Sequence, residues 1–265
     1  MKAVDGKAVR QAVIERAWPA WYARIVDTFG YSPTEDQRAA DVLSQLLQGR
    51  AIPLNQLRNA IRSHPILVVG AGPSVDDDLK GLLEAGVFGD LTLMAADGAT
   101  TAALHVAKSV PRIVVTDLDG RVPDLLQADR AGSLMVIHGH GDNIPVLERL
   151  VPRIENPIGT TQVQPRPNVY NFGGFTDGDR AVFLATAMEA RLVILAGMDF
   201  GPAIGRYSKA KPRSIHVKRE KLTMGRALLE WLANQTPVPL YNVTGRGGGM
   251  RGFQRISARE VQSLL

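Results

Sequence analysis

The chain contains no cysteine. Disulfides, thiolate zinc sites, cysteine-ligated iron–sulfur clusters and cysteine nucleophiles are therefore excluded. Long apolar runs are missing too. The longest, Ile66–Ala71 and Leu192–Gly197, are strand-sized and far short of the ~18 residues that a membrane span requires. The opening stretch, MKAVDGKAVRQAVIERAW, scatters charge where a secretory leader would be apolar. No signal peptide and no membrane partner are expected, and a cytoplasmic location is. Aromatic residues are scarce at 6% of the chain. The C-terminal quarter shows no aromatic–basic alternation, so base stacking on nucleic acid is not expected.

What is present is an average globular composition, 45% hydrophobic and 22% charged over 265 residues. That length suits one large domain, or an ordinary one with a small addition. The net charge of +5 is uneven. Residues 201–265 hold 12 Lys/Arg against 3 Asp/Glu, whereas residues 1–200 hold 19 against 23. A basic end on a mildly acidic body points to an anionic partner.

Residues 1–63 read as a helical section. Apolar residues recur at three- and four-residue spacing from Ala8 to Val26, including Trp18, Trp21, Tyr22 and Ile25. Ser32-Pro33-Thr34-Glu35 is a capping box with proline in the first turn, and a shorter helix is expected over Pro53–Ile61. From residue 64 the pattern changes. Short β-branched runs (Ile66–Val69, Leu91–Ala95, Arg112–Val115, Leu134–Ile137, Asn168–Tyr170, Leu192–Leu195 and Val238–Tyr241) alternate with amphipathic stretches. This predicts an α/β domain over 64–265, a Rossmann-like, mostly parallel sheet with flanking helices.

Ligands of such sheets bind beyond the carboxyl ends of the strands, so the residues after each run are the informative ones. Six consecutive runs end in glycine, aspartate or both: Gly70–Ser74, Asp97-Gly98, Thr116–Gly120, His138–Asn143, Asn171–Asp177 and Gly197–Asp199. One such ending is an ordinary turn. Six on one edge read as the rim of an active site. Gly70-Ala71-Gly72-Pro73-Ser74 lacks the P-loop and dinucleotide signatures, but its backbone N–H groups and the helix start behind them could hold a phosphate or a carboxylate.

Asp117 and Asp119 are alternate residues. In an extended segment they would share one face and repel unless a cation sat between them. Paired hard oxygen ligands suit Mg²⁺ on a substrate phosphate. Asp97, Asp142, Asp177 and Asp179 could add ligands or support. His138 and His140 are read as structuring a loop rather than as a metal pair, and the role of Asp199 is left open. The basic run from Arg206 through Lys209, Lys211, Arg213, Lys218, Arg219 and Lys221 starts on the same rim and suits polyphosphate neutralisation. Its like charges are expected to keep Gly205–Lys221 loose until a bound polyphosphate draws it over the site.

Taken in order, GAGPS (70–74), DGA (97–99), TDLDG (116–120), HGHGDN (138–143), NFGGFTDGDRA (171–181), GMDFG (197–201) and GRYSK (205–209) resemble the archaeal 6-hydroxymethyl-7,8-dihydropterin pyrophosphokinases, the MptE-like proteins. The resemblance extends roughly from Ile66 to Trp231. More distantly, DGA and TDLDG look like motifs of thiamin pyrophosphokinases, except that Gly120 stands where those carry serine, which counts against thiamin as substrate.

The resemblance implies transfer of a diphosphoryl group from ATP to the pterin hydroxymethyl group with Mg²⁺, giving AMP, in tetrahydromethanopterin or folate-type cofactor synthesis. It implies Asp117 and Asp119 on the metal, with Asp97 and Asp142 next in line. Gly70, Gly72, Ser74, Asp97 and Lys209 would lie along the nucleotide, and Lys218 and Lys221 would neutralise the phosphates. Asn171, Phe172 and Thr176 would lie on the pterin side. A sugar-nucleotide transferase and a nucleic-acid-binding protein using the basic end are the competing readings, and a homo-oligomer is left open.

Overall fold

A computed structural model of the chain describes residues 6–208, 215–246 and 248–265, with side chains described from residue 16 onward. Among them, nine strands form one sheet. They are β1 (Pro65–Val69), β2 (Thr92–Ala96), β3 (Ile113–Thr116), β4 (Leu134–His138), β5 (Pro157–Thr160), β6 (Val169–Tyr170), β7 (Leu192–Ala196), β8 (Leu240–Asn242) and β9 (Gln254–Arg255). Their order is 6-5-4-3-2-1-7-8-9, and every pairing is parallel.

Strand residues alternate between two covered faces, which is why the strands read as continuous apolar runs. Ile66, Val68, Met94, Ile113, Val115, Leu134 and Val136 pack on one face. They meet α1 (Gly6–Phe29), α3 (Leu54–Ile61), α8 (Asp177–Ala187) and α9 (Ile215–Ala233). Leu67, Val69, Leu93, Ala95 and Ile194 meet α4 (Val75–Glu84) and α5 (Ala99–His105) on the other. Further along that second face, Val114, Met135 and Ile137 meet α2 (Pro33–Leu46), α6 (Val122–Arg130) and α7 (Ile144–Leu150). Ser32 caps α2, its hydroxyl accepting from the Glu35 N–H at 3.3 Å, and Pro33 opens the first turn.

Two differences from the sequence reading bear on the site. The segment Pro157-Ile158-Gly159-Thr160 is a strand, although proline and glycine are depleted in strands. Glycine is needed there because a Cβ at position 159 would lie 2.7 Å from Val169 and 2.9 Å from Leu47. This strand delivers Thr161 and Gln162 to the rim. The short β9 was also not expected.

The strand order fixes where a ligand can enter. Strands β1 to β6 step outward on one side, and β7 returns to the other side of β1. After β1 the chain feeds α4 on one face, and after β7 it feeds α9 on the opposite face. The connections diverge and leave a crevice at the carboxyl ends of β1 and β7. To reach β7 from the edge, the chain after β6 crosses the rim and enters α8, which packs beneath β1, β2, β3 and β7.

Phe183 of α8 is fully buried, with Trp18 at 6.4 Å and Trp231 at 6.2 Å between ring centroids. It ties α1 and α9 to the sheet. Phe183→Ala should lower unfolding free energy by about 3–5 kcal/mol through lost burial and a residual cavity, measured by urea titration.

Candidate active site

The carboxyl edge of the sheet carries a cleft of about 320 Å³. At its centre, Asp97 after β2 and Asp117 and Asp119 after β3 bring carboxylate oxygens within 4.8 Å of one another. The sequence reading obtained this convergence from an extended Asp-x-Asp, and the structure reaches it differently. Leu118 has φ of +67°, so the segment is a tight turn. The Leu118 side chain drops into the core below. The Asp119 N–H donates to the Asp117 carboxylate at 3.1 Å, and the Leu118 N–H to the Thr116 hydroxyl at 2.8 Å. Leu118 thus turns inward while both aspartates meet outside.

Thr116 links the two strands, its hydroxyl donating to Asp97 Oδ1 at 2.6 Å. The Gly120 N–H donates to the same oxygen at 3.0 Å. A Cβ on residue 120 would lie 2.6 Å from that carboxylate, so only glycine allows the approach. Burial, then the charges of Asp117 and Asp119, push the Asp97 carboxyl well above the usual carboxylate range. Burial and the charges of Asp117, Asp97 and Asp119 do the same to Asp177 at the start of α8. Burial opposes ionisation of Asp117 as well, but the hydrogen bond from His140, with help from the Asp119 N–H and the Lys221 charge, outweighs it and holds this carboxyl below its ordinary value.

The two histidines are fixed by their neighbours. Arg180, wholly buried, can only donate, so His138 Nε2 accepts from its Nη2 at 3.1 Å and His138 Nδ1 donates to the Thr160 carbonyl at 3.3 Å. Burial, with the charge of Arg180, keeps His138 well below the ordinary histidine range. His140 Nδ1 accepts from the Asp142 N–H at 3.3 Å, leaving the proton on Nε2, which lies 3.5 Å from Asp117. The rings stack 5.5 Å apart.

Gly70 and Gly72 line the cleft, but their neighbours alone demand glycine. A Cβ would lie 2.5 Å from Met198 Sδ at position 70, and against the Asp199 carboxylate and the Gly197 carbonyl at position 72. Ser74 is buried; its N–H donates to Asp199 Oδ2 at 3.2 Å, and its hydroxyl lies 2.6 Å from Asp78 and 3.1 Å from Asp199. The anion held at the start of α4 is therefore the chain's own Asp199.

Asp142 is exposed and stands apart from the acidic cluster. Asp179 caps α8, accepting from the Thr176 N–H at 2.8 Å. Of the three residues expected on the pterin side, Thr176 lines the cleft. Asn171 instead holds its own loop, bonding the Val163 carbonyl and the Gly173 N–H, and Phe172 is buried beside Tyr170. The aromatic that reaches the cleft from this loop is Phe175.

Lys218 and Lys221 line the cleft from α9. Lys209, Lys211 and Arg213 lie outside the described residues. Gly205 and Tyr207 are packed rather than loose: a Cβ at 205 would clash with the Ala71 carbonyl, one at Gly98 with the Tyr207 carbonyl, and the Tyr207 hydroxyl donates to Asp76 at 2.9 Å. Sequence reasoning missed Tyr31, Asp36 and Gln162, which also line the cleft. The capping box marked the start of α2 but not that this helix end faces the rim.

A carboxyl whose folded pKa is raised binds its proton more tightly in the folded chain than in the unfolded one. Stability therefore falls as pH rises from the ordinary carboxylate range through the raised value. Without divalent cation, Asp97→Asn should melt at least ~2 °C above wild type at about pH 8, and the gap should shrink toward about pH 4. Thermal unfolding in EDTA across that range checks this, and added Mg²⁺ should narrow the gap from the wild-type side.

A family model described as 6-hydroxymethylpterin diphosphokinase MptE-like matches residues 40–205, a span that leaves out Tyr31, Asp36, Lys218 and Lys221. Three curated relatives carry the name 6-hydroxymethyl-7,8-dihydropterin pyrophosphokinase. The protein from Pyrococcus furiosus is 45% identical over 222 residues, covering 82% of this chain and 93% of its own length. That from Methanothermobacter thermautotrophicus is 43% identical over 222 residues, covering 82% and 94%. That from Methanocaldococcus jannaschii is 34% identical over 235 residues, covering 84% and 97%. Among solved structures, the MAf glycosyltransferase of Magnetospirillum magneticum aligns with 76% of this chain at a TM-score of 0.52 and 16% identity, a likeness of fold alone. The alignment spans 34% of that larger chain. With matches of this extent, the chain belongs to the MptE-like family of 6-hydroxymethylpterin diphosphokinases.

Proposed function

We propose that the protein transfers diphosphate from ATP to 6-hydroxymethyl-7,8-dihydropterin, giving AMP and the pterin diphosphate. Family membership supplies the substrates, and one observation carries the chemistry: three carboxylates converging within 4.8 Å at the centre of the cleft. That donor set fits a hard divalent cation, because oxygen ligands suit Mg²⁺ and the raised Asp97 carboxyl marks a charge conflict that a cation relieves. Asp117 and Asp119 would hold Mg²⁺, with Asp97 as the third ligand. When bound, Mg²⁺ supplies charge neutralisation on the phosphate oxygens.

The chain's own contribution is positioning and electrostatics. The pterin hydroxyl attacks the β-phosphorus and AMP leaves, so negative charge grows on the phosphate oxygens. Lys218 and Lys221, which line the cleft from α9, would neutralise that charge, with Lys209 as a third candidate for the same task. Gly70, Gly72 and Thr176 would contribute wall surface at the nucleotide and acceptor ends. Ser74 would act indirectly, by holding Asp199. The helical section 1–63 would close the acceptor end through Tyr31 and Asp36.

AMP release should require both the dihydropterin and a divalent cation. ADP as the product, or equal AMP release with thiamin, would overturn the assignment. Asp117→Asn and Asp119→Asn should each lower turnover by at least ~10²-fold, the scale of removing one electrostatic contact from a transition state, while both variants fold. Coupled AMP detection and circular dichroism check the two halves of this expectation.

A further inference from the structure

The acidic cluster divides the cleft. On the β1/β7 side lie the glycine turn, Asp199, Phe200 and Tyr207. On the β4/β5 side lie Tyr31, Asp36, Gln162, His140 and Phe175. Displacement at a phosphorus held between them puts the acceptor hydroxyl and the departing AMP on opposite sides. The chemistry of the two walls then decides which substrate lies where.

On the β4/β5 side the polar groups are buried and fixed. Asp36 is 3% exposed. It accepts from the Tyr22 hydroxyl and Gln162 Nε2, each at 2.7 Å to Oδ2, and from the Gly141 N–H at 2.8 Å to Oδ1. A carboxylate has about four acceptor positions, so one remains, on Oδ1. Gln162 is held at the other end by Trp18, whose indole N–H donates to its backbone carbonyl at 2.7 Å. Having given one N–H to Asp36, the Gln162 side chain keeps its amide oxygen and a second N–H. The open position on Asp36 Oδ1 and the Gln162 amide oxygen thus belong to two side chains that are bonded to each other and both line the cleft. Next to them, Tyr31 and Phe175 lie 6.2 Å apart, and the Lys221 ammonium stands 5.4 and 5.8 Å from their ring centroids, over their faces.

We propose, resting on the dihydropterin reading above, that Asp36 and Gln162 read the pyrimidine edge of the acceptor and that Tyr31 and Phe175 bear its ring face once the Lys221 ammonium has left them for the phosphates. That edge presents an amino group beside a lactam N–H, two adjacent donors for these two acceptors. Adenine presents an amino donor beside an unprotonated ring nitrogen, which a carboxylate repels. The acceptor therefore lies on the β4/β5 side and the nucleoside on the β1/β7 side. Asp36 and Gln162 are specificity residues that the sequence motifs do not contain.

The test measures equilibrium binding of 6-hydroxymethylpterin, by its own fluorescence, with Mg²⁺ and α,β-methylene-ATP, whose α–β bridge cannot be cleaved. Asp36→Asn should weaken pterin binding at least ~10-fold, the scale of a lost hydrogen bond to a charged group. Tyr31→Leu, at a half-buried position that leaves the core intact, should weaken it about 10-fold through lost stacking. Affinity for the ATP analogue should stay unchanged in both. Wild type should also discriminate against the 2-desamino pterin, and that discrimination should collapse in Asp36→Asn.

Unchanged pterin affinity in both variants would overturn the proposal. So would a loss that falls on the nucleotide, a loss shown by Asp199→Asn in place of Asp36→Asn, or no pterin binding by wild type. Wild type that binds pterin with this pattern yet releases no AMP from ATP would leave this site standing and overturn the transfer reaction instead.

Discussion

Three carboxylates are forced together by backbone that leaves them no room to part. Asp97 has φ of +39° and Leu118 of +67°, so both turns double back at the ends of adjacent strands. Non-glycine residues enter that region only at a cost that the surroundings must offset. Here the offset is visible. Thr116 donates to Asp97 and accepts from Leu118, and the Leu118 side chain is buried. The Gly120 N–H closes on Asp97 from the other side. The strain lies in the turns, the anchoring lies in the core, and the charges are left facing the cleft. Much of the remaining site consists of groups that make this concentration of charge tolerable.

Those groups form two layers. His140 and Lys221 act directly and hold Asp117 ionised. Arg180 acts from behind. Burial pulls its guanidinium down to about 10 against the opposing charges of Asp179, Asp177, Asp117 and Asp36, so it stays a cation at neutral pH in a fully buried place. It reaches the rim through His138, which stacks on His140, which lies beside Asp117. A half-buried lysine on the cleft wall and a buried arginine behind it thus serve the same cluster from two sides.

The fold was legible because alternation of β-branched runs with amphipathic stretches has few topological solutions. Segments without that signature were not: Pro157–Thr160 pairs as a strand because tertiary contacts override its composition. The rim was legible as a rim, since glycine and aspartate mark strand ends. What sequence could not assign was the use of each aspartate. Asp97, Asp142, Asp177, Asp179 and Asp199 occupy similar contexts in the chain. Yet Asp97 joins the acidic cluster, Asp179 caps a helix, Asp199 fills an anion position and Asp142 is exposed. The partner decides the role, and the partners are up to 125 residues away, as with Ser74 and Asp199. Asn171 and Phe172 failed to reach the cleft for the same reason. The loop lies on the rim, but its two consecutive glycines, at φ of +81° and +86°, redirect the chain so that Phe175 faces the cleft and Phe172 the core.

The glycine turn after β1 shows how a familiar pattern acquires a different use. A strand, a glycine turn and a helix start ordinarily leave backbone N–H groups free for a ligand's phosphate. Here Asp199 approaches from β7 so closely that a Cβ at residue 72 would overlap its carboxylate, and Ser74 bonds it through its N–H, with the hydroxyl 3.1 Å away. The first turn of α4 adds Asp76, Asp77 and Asp78, the first two paired with Arg206 and Arg246 and the third bonded by the Gly197 and Gly245 N–H groups. With this turn satisfied internally, Lys218 and Lys221 of α9 are the described lysines that face the cleft. That internal satisfaction also explains why the acidic cluster, lying over β2 and β3, is the electrostatic centre of the cleft, although the topological switch lies one strand away, between β1 and β7.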